Sequence, residues 1–146
     1  MKTKKDFEFD LDSGVTRCFT TRGDKLYLGA AICHDDDRDM ISEYTGCEIA
    51  ETRANIEMLK DIRDSEIIPA LKAIKHLQSC IETSKYFNKK SYESRMIRRQ
   101  VCKLENDLER INNSIKSEKE FLKDYIAKKE KIYQRLRAKR ETDNLD

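Results

Sequence analysis

The chain has 146 residues, of which 38% are apolar and 40% are charged. This composition is typical of long solvated helices or coiled coils and argues against a compact enzyme that encloses a pocket. The net charge of +2 hides an uneven distribution, because residues 1–84 carry a net charge of −5 and residues 85–140 carry +10. Such a basic segment attracts polyanions, which include nucleic acid, nucleotides and acidic proteins.

The cysteines and the hydropathy pattern predict a cytoplasmic protein. Five cysteines are an odd number, and no C-x-x-C pair occurs, so we expect free thiols in a reducing compartment rather than a disulfide framework. The charged start, Met1 to Lys5, precedes no apolar segment, so no signal peptide is expected. No run of about 18 apolar residues occurs, so no membrane span is expected either.

Three stretches in the N-terminal part have the composition of β-strands. They are Phe7–Leu11, Val15–Thr21 and Lys25–Cys33. The first alternates apolar and acidic residues, and the other two are rich in β-branched, aromatic and aliphatic side chains. Gly14 and Gly23 supply the turns between them. We predict a three-stranded antiparallel meander, which needs a helix packed on its apolar face because so few strands are not stable alone.

A helix that covers the sheet is predicted to follow. Thr45 and Glu48 have the spacing of a capping box, and apolar residues at helical spacing continue to about Ser65. Pro69 either kinks this helix or begins a new one that runs to about Thr83. We therefore predict an α+β fold with two parts, a β-meander-plus-helix unit at 1–84 and a basic coiled-coil helical arm at 85–146, with the joint near residues 84–90.

The C-terminal arm contains apolar residues at alternating spacings of four and three. This seam comprises Ile97, Val101, Leu104, Leu108, Ile111, Ile115, Leu122, Tyr125, Ile132 and Leu136, with Glu118 and Lys129 as polar lapses. A sustained heptad predicts one continuous helix whose seam packs on another chain, in a homo-oligomer, or on the Pro69 helix folded back. The alternative is a break near residues 112–114, which gives two antiparallel helices.

Basic side chains cluster at the start of the arm. The group comprises Tyr92, Arg95, Arg98, Arg99 and Lys103. On a helix these residues lie on neighbouring turns, so their cations can converge on phosphate groups. A second basic group occupies residues 128–140. The alternative is the solvated exterior of a coiled coil, but the charge of residues 85–140 exceeds what solubility requires, so we treat the first group as a candidate site for a nucleotide or another anion.

We predict no catalytic residue, no metal site and no cofactor. Four aspartates between residues 35 and 39 are interpreted as a solvated loop near a helix N-terminus, because no second acidic or His cluster at ligand spacing accompanies them. Cys33 and His34 match no zinc-ligand spacing with the other Cys and His residues. A nucleophilic cysteine needs a nearby base, and the chain has only two histidines.

A motif around the end of the third strand resembles a known group of proteins. It comprises Gly29, Cys33, His34, Asp37, Gly46 and Arg53. The pattern is similar to short phage and prophage proteins in which a β-hairpin ends in G-x-A-x-C-H-P-x-D and continues to G-x-x-I/L-A-x-x-R-A on the first helix. Asp35 stands where those proteins have proline, and the resemblance covers residues 26–54. In layout the chain is also similar to phage anti-defence proteins of the Thoeris anti-defence type, which sequester nucleotide signals.

The resemblance implies a non-enzymatic, oligomeric binding protein of phage type that acts in the host cytosol. Such a protein counters host defence by sequestering a nucleotide signal or by binding a host defence protein. The alternative, which rests on charge alone, is a nucleic-acid-binding or scaffolding coiled-coil protein whose basic helix contacts backbone phosphates.

Overall fold

A computed structural model of the chain describes residues 2–33, 43–84 and 91–145. The elements are β1 (Thr3–Asp10), β2 (Val15–Arg22), β3 (Lys25–Ile32), α1 (Glu43–Asp61), a π-helical segment (Ile62–Ile67), α2 (Ile68–Glu82) and α3 (Tyr92–Asp143). The predicted α+β class, a small antiparallel sheet followed by long helices, is confirmed. Within the described residues no helix combines the length and apolarity that a membrane crossing requires.

The sheet is the predicted meander, with strand order β1-β2-β3 and both pairs antiparallel. The two turns depend on glycine, because Gly14 and Gly23 have positive φ angles of 66° and 65°, which side chains disfavour. The turn between β1 and β2 is also held by the Asp10 carboxylate, which accepts a 2.7 Å hydrogen bond from the Ser13 hydroxyl and a 3.0 Å bond from the Asp12 N–H. The hydrogen bonds from Ser13 keep the pKa of Asp10 below its ordinary value.

The sheet packs on α1 through small side chains. Its inner face carries Thr16, Cys18 and Thr20 from β2 and Tyr27, Gly29 and Ala31 from β3, all of them buried. A Cβ atom added at Gly29 would overlap the backbone of Ala50 and Ala54 on α1, so the helix lies directly against the strand at this point. Cys18, Ala31, Ala50 and Ala54 form the core cluster of the packing, with Ile49 beside it.

The predicted capping box is wrong. Helix α1 already includes Glu43 and Tyr44, so Thr45 lies inside the helix, whereas an N-cap residue has a non-helical backbone. The Thr45 side chain is buried, and the next residue, Gly46, lies close enough to Thr16 of β2 that a Cβ atom there would overlap the threonine side chain. Thr45 and Gly46 therefore belong to the packed part of the helix rather than to its start.

Pro69 is accommodated by a local change of helix type. The helix predicted to run to Ser65 ends as α-helix at Asp61, and the π-helical segment follows without a break. The Ile68 N–H donates to the carbonyl of Arg63, five residues earlier, which is the π-helical hydrogen-bond spacing. Pro69 is then the second residue of α2, where its missing N–H costs little. The result combines the two predicted alternatives, because a new α-helix begins at Ile68, one residue before Pro69, while the helical path continues.

Helix α3 is one continuous helix of 52 residues, so the predicted alternative of a break near residues 112–114 is wrong. Ser91 precedes the helix and its hydroxyl accepts a 3.2 Å hydrogen bond from the Ser94 N–H, which is an N-cap interaction. Most of the predicted joint before α3, residues 85–90, lies outside the described residues.

Contacts group the chain into two compact units. One contains residues 1–58 and 117–146, and the other contains residues 59–116. This grouping differs from the sequence-based parts 1–84 and 85–146, because the C-terminal part of α3 belongs with the sheet and α1, whereas its N-terminal part belongs with the π-helical segment and α2.

The contact at Gly29 predicts a large cost for the smallest substitution. We expect Gly29→Ala to lower the free energy of unfolding by about 1–3 kcal/mol, because the added methyl group meets backbone atoms of α1 that cannot move independently. The matched control is Ala30→Ser, which adds one heavy atom to the opposite sheet face and should change stability by less than about 0.5 kcal/mol. Denaturant unfolding followed by circular dichroism measures both, and equal effects would contradict the tight contact.

The turn at Asp10 makes a prediction about pH. Because the folded-state pKa of Asp10 is lowered, its ionised form stabilises the fold above the ordinary pKa of an aspartate, and this contribution is lost as the pH falls through the folded-state pKa. Ser13→Ala should raise the pKa of Asp10 towards its ordinary value, as followed by NMR of the side-chain carboxyl carbon during an acid titration. The control Ser117→Ala, on α3, should leave the Asp10 titration unchanged.

Candidate functional site

The motif at the end of β3 has a packing role in the described residues. At Gly29 and at Gly46, α1 and the sheet lie so close together that an added Cβ atom would overlap the facing element. Arg53 donates a 2.6 Å hydrogen bond from its guanidinium group to the carbonyl oxygen of Ala30 on β3, which ties the helix to the outer strand of the sheet. Cys33 is half-buried, and its N–H donates to the Gly14 carbonyl at 2.9 Å. His34 and Asp37 lie outside the described residues.

The cysteines are all free and do not form a site with one another. Burial raises the pKa of the Cys18 thiol and of the Cys47 thiol, so both favour the protonated form, which is neither a good nucleophile nor a metal ligand. Cys80 contacts His76 one turn earlier on α2, with Sγ 3.7 Å from Nε2, and both residues are exposed. Across residues 2–33, 43–84 and 91–145, no three His, Cys, Asp or Glu residues are arranged to hold a metal ion.

The candidate anion-binding residues lie within the first twelve residues of α3. Tyr92, Arg95, Arg98, Arg99 and Lys103 are all exposed. Arg95, Arg99 and Lys103 follow at intervals of four residues, so their side chains project from one face of the helix on successive turns. Arg98 lies at the edge of this face, and its Nε donates to the Ser94 carbonyl at 3.3 Å. The structure therefore brings three of the four predicted cations together on one face.

The opposite face of the same helix is the packed one. Val101, Ile111 and Ile115 of the seam are buried, and Leu104 and Leu108 are half-buried. This part of α3 faces the π-helical segment and α2, because Lys75 forms a 3.0 Å ion pair with Glu105 and Arg63 donates to the Asn112 side chain at 3.4 Å. Two partners were predicted for the seam, another chain and the helix that contains Pro69. The helix that contains Pro69, α2, lies beside this part of the seam. The cations of the opposite face point towards solvent.

Sequence reasoning missed two polar residues on the basic face. Asn106 and Arg110 line the same open surface as Arg98, Arg99 and Lys103, together with Cys102 and the carboxylate of Asp107. Arg110 is seven residues after Lys103, which is two helical turns, so the spacing already contained the signal. We define the basic face of α3 as Arg95, Arg99, Lys103, Asn106 and Arg110. It is an open surface along one helix and not an enclosed cavity.

The second basic group has a mixed environment. Lys128, Lys131, Arg135, Lys139 and Arg140 are exposed, whereas Lys129 and Arg137 are half-buried. The Lys129 ammonium lies 5.4 Å from the centroid of the Tyr125 ring, which is a cation–π distance, and Tyr125 stacks on Phe121 with 5.5 Å between ring centroids. Part of this group therefore supports packing of the helix rather than offering free cations.

The predicted seam does not stay on the packed face along all of α3. In the C-terminal part the half-buried positions are Glu118, Leu122, Tyr125, Ile126, Lys129, Tyr133 and Arg137, whereas Ile132 and Leu136 are exposed by 37% and 42%. An α-helix has 3.6 residues per turn, so a strict heptad rotates by about 20° per repeat and by about 100° between Ile97 and Ile132. The packed positions stay on one side of α3, whereas the heptad positions rotate away from that side and become exposed to solvent towards the C-terminus.

No protein family, no curated protein and no solved structure matches the chain. The basic face offers guanidinium and ammonium donors, with one carboxylate, Asp107, on the same open surface. Such a surface can bind anions, and the predicted assembly of the seam between copies of the chain stays a prediction.

The rotation of the heptad can be tested with one pair of substitutions. Ile111 is 8% exposed and Ile132 is 37% exposed, although both are heptad positions. We expect Ile111→Ala to lower the free energy of unfolding by about 2–4 kcal/mol because it leaves a cavity, and Ile132→Ala to lower it by clearly less. Denaturant unfolding should be measured at concentrations where the midpoint does not depend on protein concentration. Equal losses would mean that the whole heptad packs within the chain.

Proposed function

We propose that the protein is a non-enzymatic nucleic-acid-binding protein of the cytoplasm, and that the basic face of α3 holds the phosphate backbone. The observation that carries the proposal is the position of Arg95, Arg99, Lys103 and Arg110 on the solvent side of a helix whose other side is packed. Five free thiols support a reducing compartment.

The geometry of the basic face favours an extended anion. Arginine donates to phosphate oxygens in a bidentate manner, and cations one helical turn apart rise by about 6 Å along the axis, so that they reach successive groups of a linear polyanion. Contacts of this kind carry affinity without reading the base sequence. A small nucleotide is usually held in a concave pocket that covers most of its surface, whereas the basic face is open.

The expectation of a phage-type inhibitor stays a prediction. Three residues of the motif that carried the resemblance, Gly29, Gly46 and Arg53, have a role in the packing of α1 on the sheet. The nucleic-acid proposal rests on the basic face alone.

The experiment is a salt titration of binding to a duplex DNA and a duplex RNA, followed by fluorescence anisotropy. We expect a linear fall of log K with log salt concentration, with a slope of about −0.9 for each phosphate contact on DNA. The triple substitution Arg95→Gln, Arg99→Gln and Lys103→Gln should reduce the magnitude of the slope by about 2.7 and weaken binding on all sequences alike.

The matched control removes three cations from other elements, Lys2→Gln, Lys4→Gln and Lys72→Gln, all at exposed positions. It changes the net charge by the same amount and should leave the slope nearly unchanged. An equal loss in both triple variants would show that net charge, and not the basic face, drives binding. Absence of nucleic-acid binding, together with a thermal shift by a cyclic nucleotide that the first variant loses, would favour the sequestering inhibitor instead.

A further inference from the structure

The two faces of the sheet differ in the side chains that they carry. The inner face carries small residues at Thr16, Cys18, Gly29 and Ala31 beside the aromatic Phe7, Phe9 and Tyr27, whereas the outer face of β3 exposes large aliphatic residues. Leu26, Leu28 and Ile32 of β3 are 62%, 51% and 75% exposed. Their partners on β2 in the strand register include Val15, opposite Ile32, and Phe19, opposite Leu28, and the pair Arg17 and Ala30 lies between them on the same face. We call these five residues the outer patch, and an apolar patch of this kind marks a contact surface.

One side of the outer patch is acidic. Strand β1 presents Asp6, Glu8 and Asp10 on the same face, because their register partners on β2 are Phe19, Arg17 and Val15. Two cations partly offset these carboxylates: Lys4 lies 3.4 Å from Asp6, and Arg17 lies 3.3 Å from Glu8. The rim still has more acids than bases. An occupant of the outer patch should therefore be apolar in the middle and basic along one side.

The edge of the sheet next to the patch is a weaker docking position than its face. On the outer edge strand β3, the carbonyl oxygen of Ala30 already accepts a hydrogen bond from Arg53. A side chain that occupies a backbone acceptor hinders the pairing of a further strand there. The occupant should therefore lie across the face of the sheet, as helices do in two-layer proteins.

The C-terminal part of α3 has the matching chemistry. Phe121, Tyr125, Ile132 and Leu136 form a stripe at spacings of four, seven and four, and all but the half-buried Tyr125 are exposed. We call these four residues the apolar stripe. Lys128, Arg135 and Lys139 each follow a stripe residue by three positions, so cations run along one side of it. The stripe spans about 22 Å, and an eight-residue strand about 26 Å, so the lengths agree.

We propose that two copies of the chain assemble reciprocally, with the apolar stripe of each copy on the outer patch of the other. Three residues of each surface are exposed in the folded chain, namely Leu26, Leu28 and Ile32 of the outer patch and Phe121, Ile132 and Leu136 of the apolar stripe. The contact that covers these residues therefore joins different copies. A two-fold arrangement buries both surfaces on both chains and leaves no open end. It also doubles the contact area, which favours reaching the roughly 1,200–2,000 Å² that stable interfaces bury. This assembly leaves the basic face of α3 free and does not depend on the proposed function.

The first test is the mass of the protein in solution, measured by sedimentation equilibrium in the presence of a reducing agent. The wild-type chain should have twice the monomer mass of 17.2 kDa. Leu28→Lys on the outer patch and Ile132→Lys on the apolar stripe should each raise the dimer dissociation constant at least tenfold. The matched control is Leu77→Lys, at an exposed position of α2, which should leave the dissociation constant unchanged. Circular dichroism checks that each variant is folded.

Mixing the two variants gives the decisive result. A mixed dimer of the Leu28→Lys and Ile132→Lys chains retains one contact intact, between the unchanged patch of one chain and the unchanged stripe of the other. The mixture should therefore form dimers at concentrations where each variant alone is monomeric. A monomeric wild-type chain would overturn the proposal. So would a dimer that only Leu28→Lys disrupts, which indicates sheet-to-sheet contact, or one that only Ile132→Lys disrupts, which indicates a coiled coil of α3.

Discussion

The close contact between α1 and the sheet is the constraint on which the N-terminal part of the structure depends. The backbone of α1 at Ala50 and Ala54 lies against Gly29 of β3, so no side chain separates the helix from the strand there. A contact this close leaves room only for small residues, and the largest fully buried side chains are accordingly Thr16, Thr20 and Cys18. Burial of so little apolar surface stabilises a fold only weakly, which makes the fit of each small residue important.

The small residues of the core cluster also account for the large apolar side chains on the outer face of the sheet. Strand residues alternate between faces, and on β3 the inner positions nearest α1 are small, with the larger Tyr27 further along the same face. In β3 the inner positions include Gly29 and Ala31, and the outer positions include Leu26, Leu28 and Ile32. The exposed aliphatic side chains therefore follow from the same constraint as the core. Their exposure costs solubility unless something covers them.

The sequence predicted the strands and helices better than it predicted which side of each element is buried. Alternation and the two turn glycines were sufficient for the meander, and the absence of glycine and proline from α3 agreed with one continuous helix. The capping box failed because Thr45 has the spacing of a cap but is buried inside α1. A sequence pattern depends only on residue types, whereas the direction of a side chain depends on which neighbour the helix packs against. The same limit applies to the basic face, because spacing grouped its cations but only the packed seam shows that they point to solvent.

In helix α3 the heptad of the sequence and the packed face of the helix have different periods. A strict heptad on a helix of 3.6 residues per turn cannot keep all its apolar residues on one straight packed face. Near Ile111 and Ile115 the heptad faces the chain's own helices, whereas Ile132 and Leu136, further along, are exposed. If the whole heptad served intrachain packing, its residues would follow the 3.6-residue period of the half-buried positions Leu122, Ile126, Lys129, Tyr133 and Arg137, whose spacings are four, three, four and four. Apolar residues kept in heptad phase beyond that point are consistent with a second surface, and their spacing is what a partner helix or sheet face would contact.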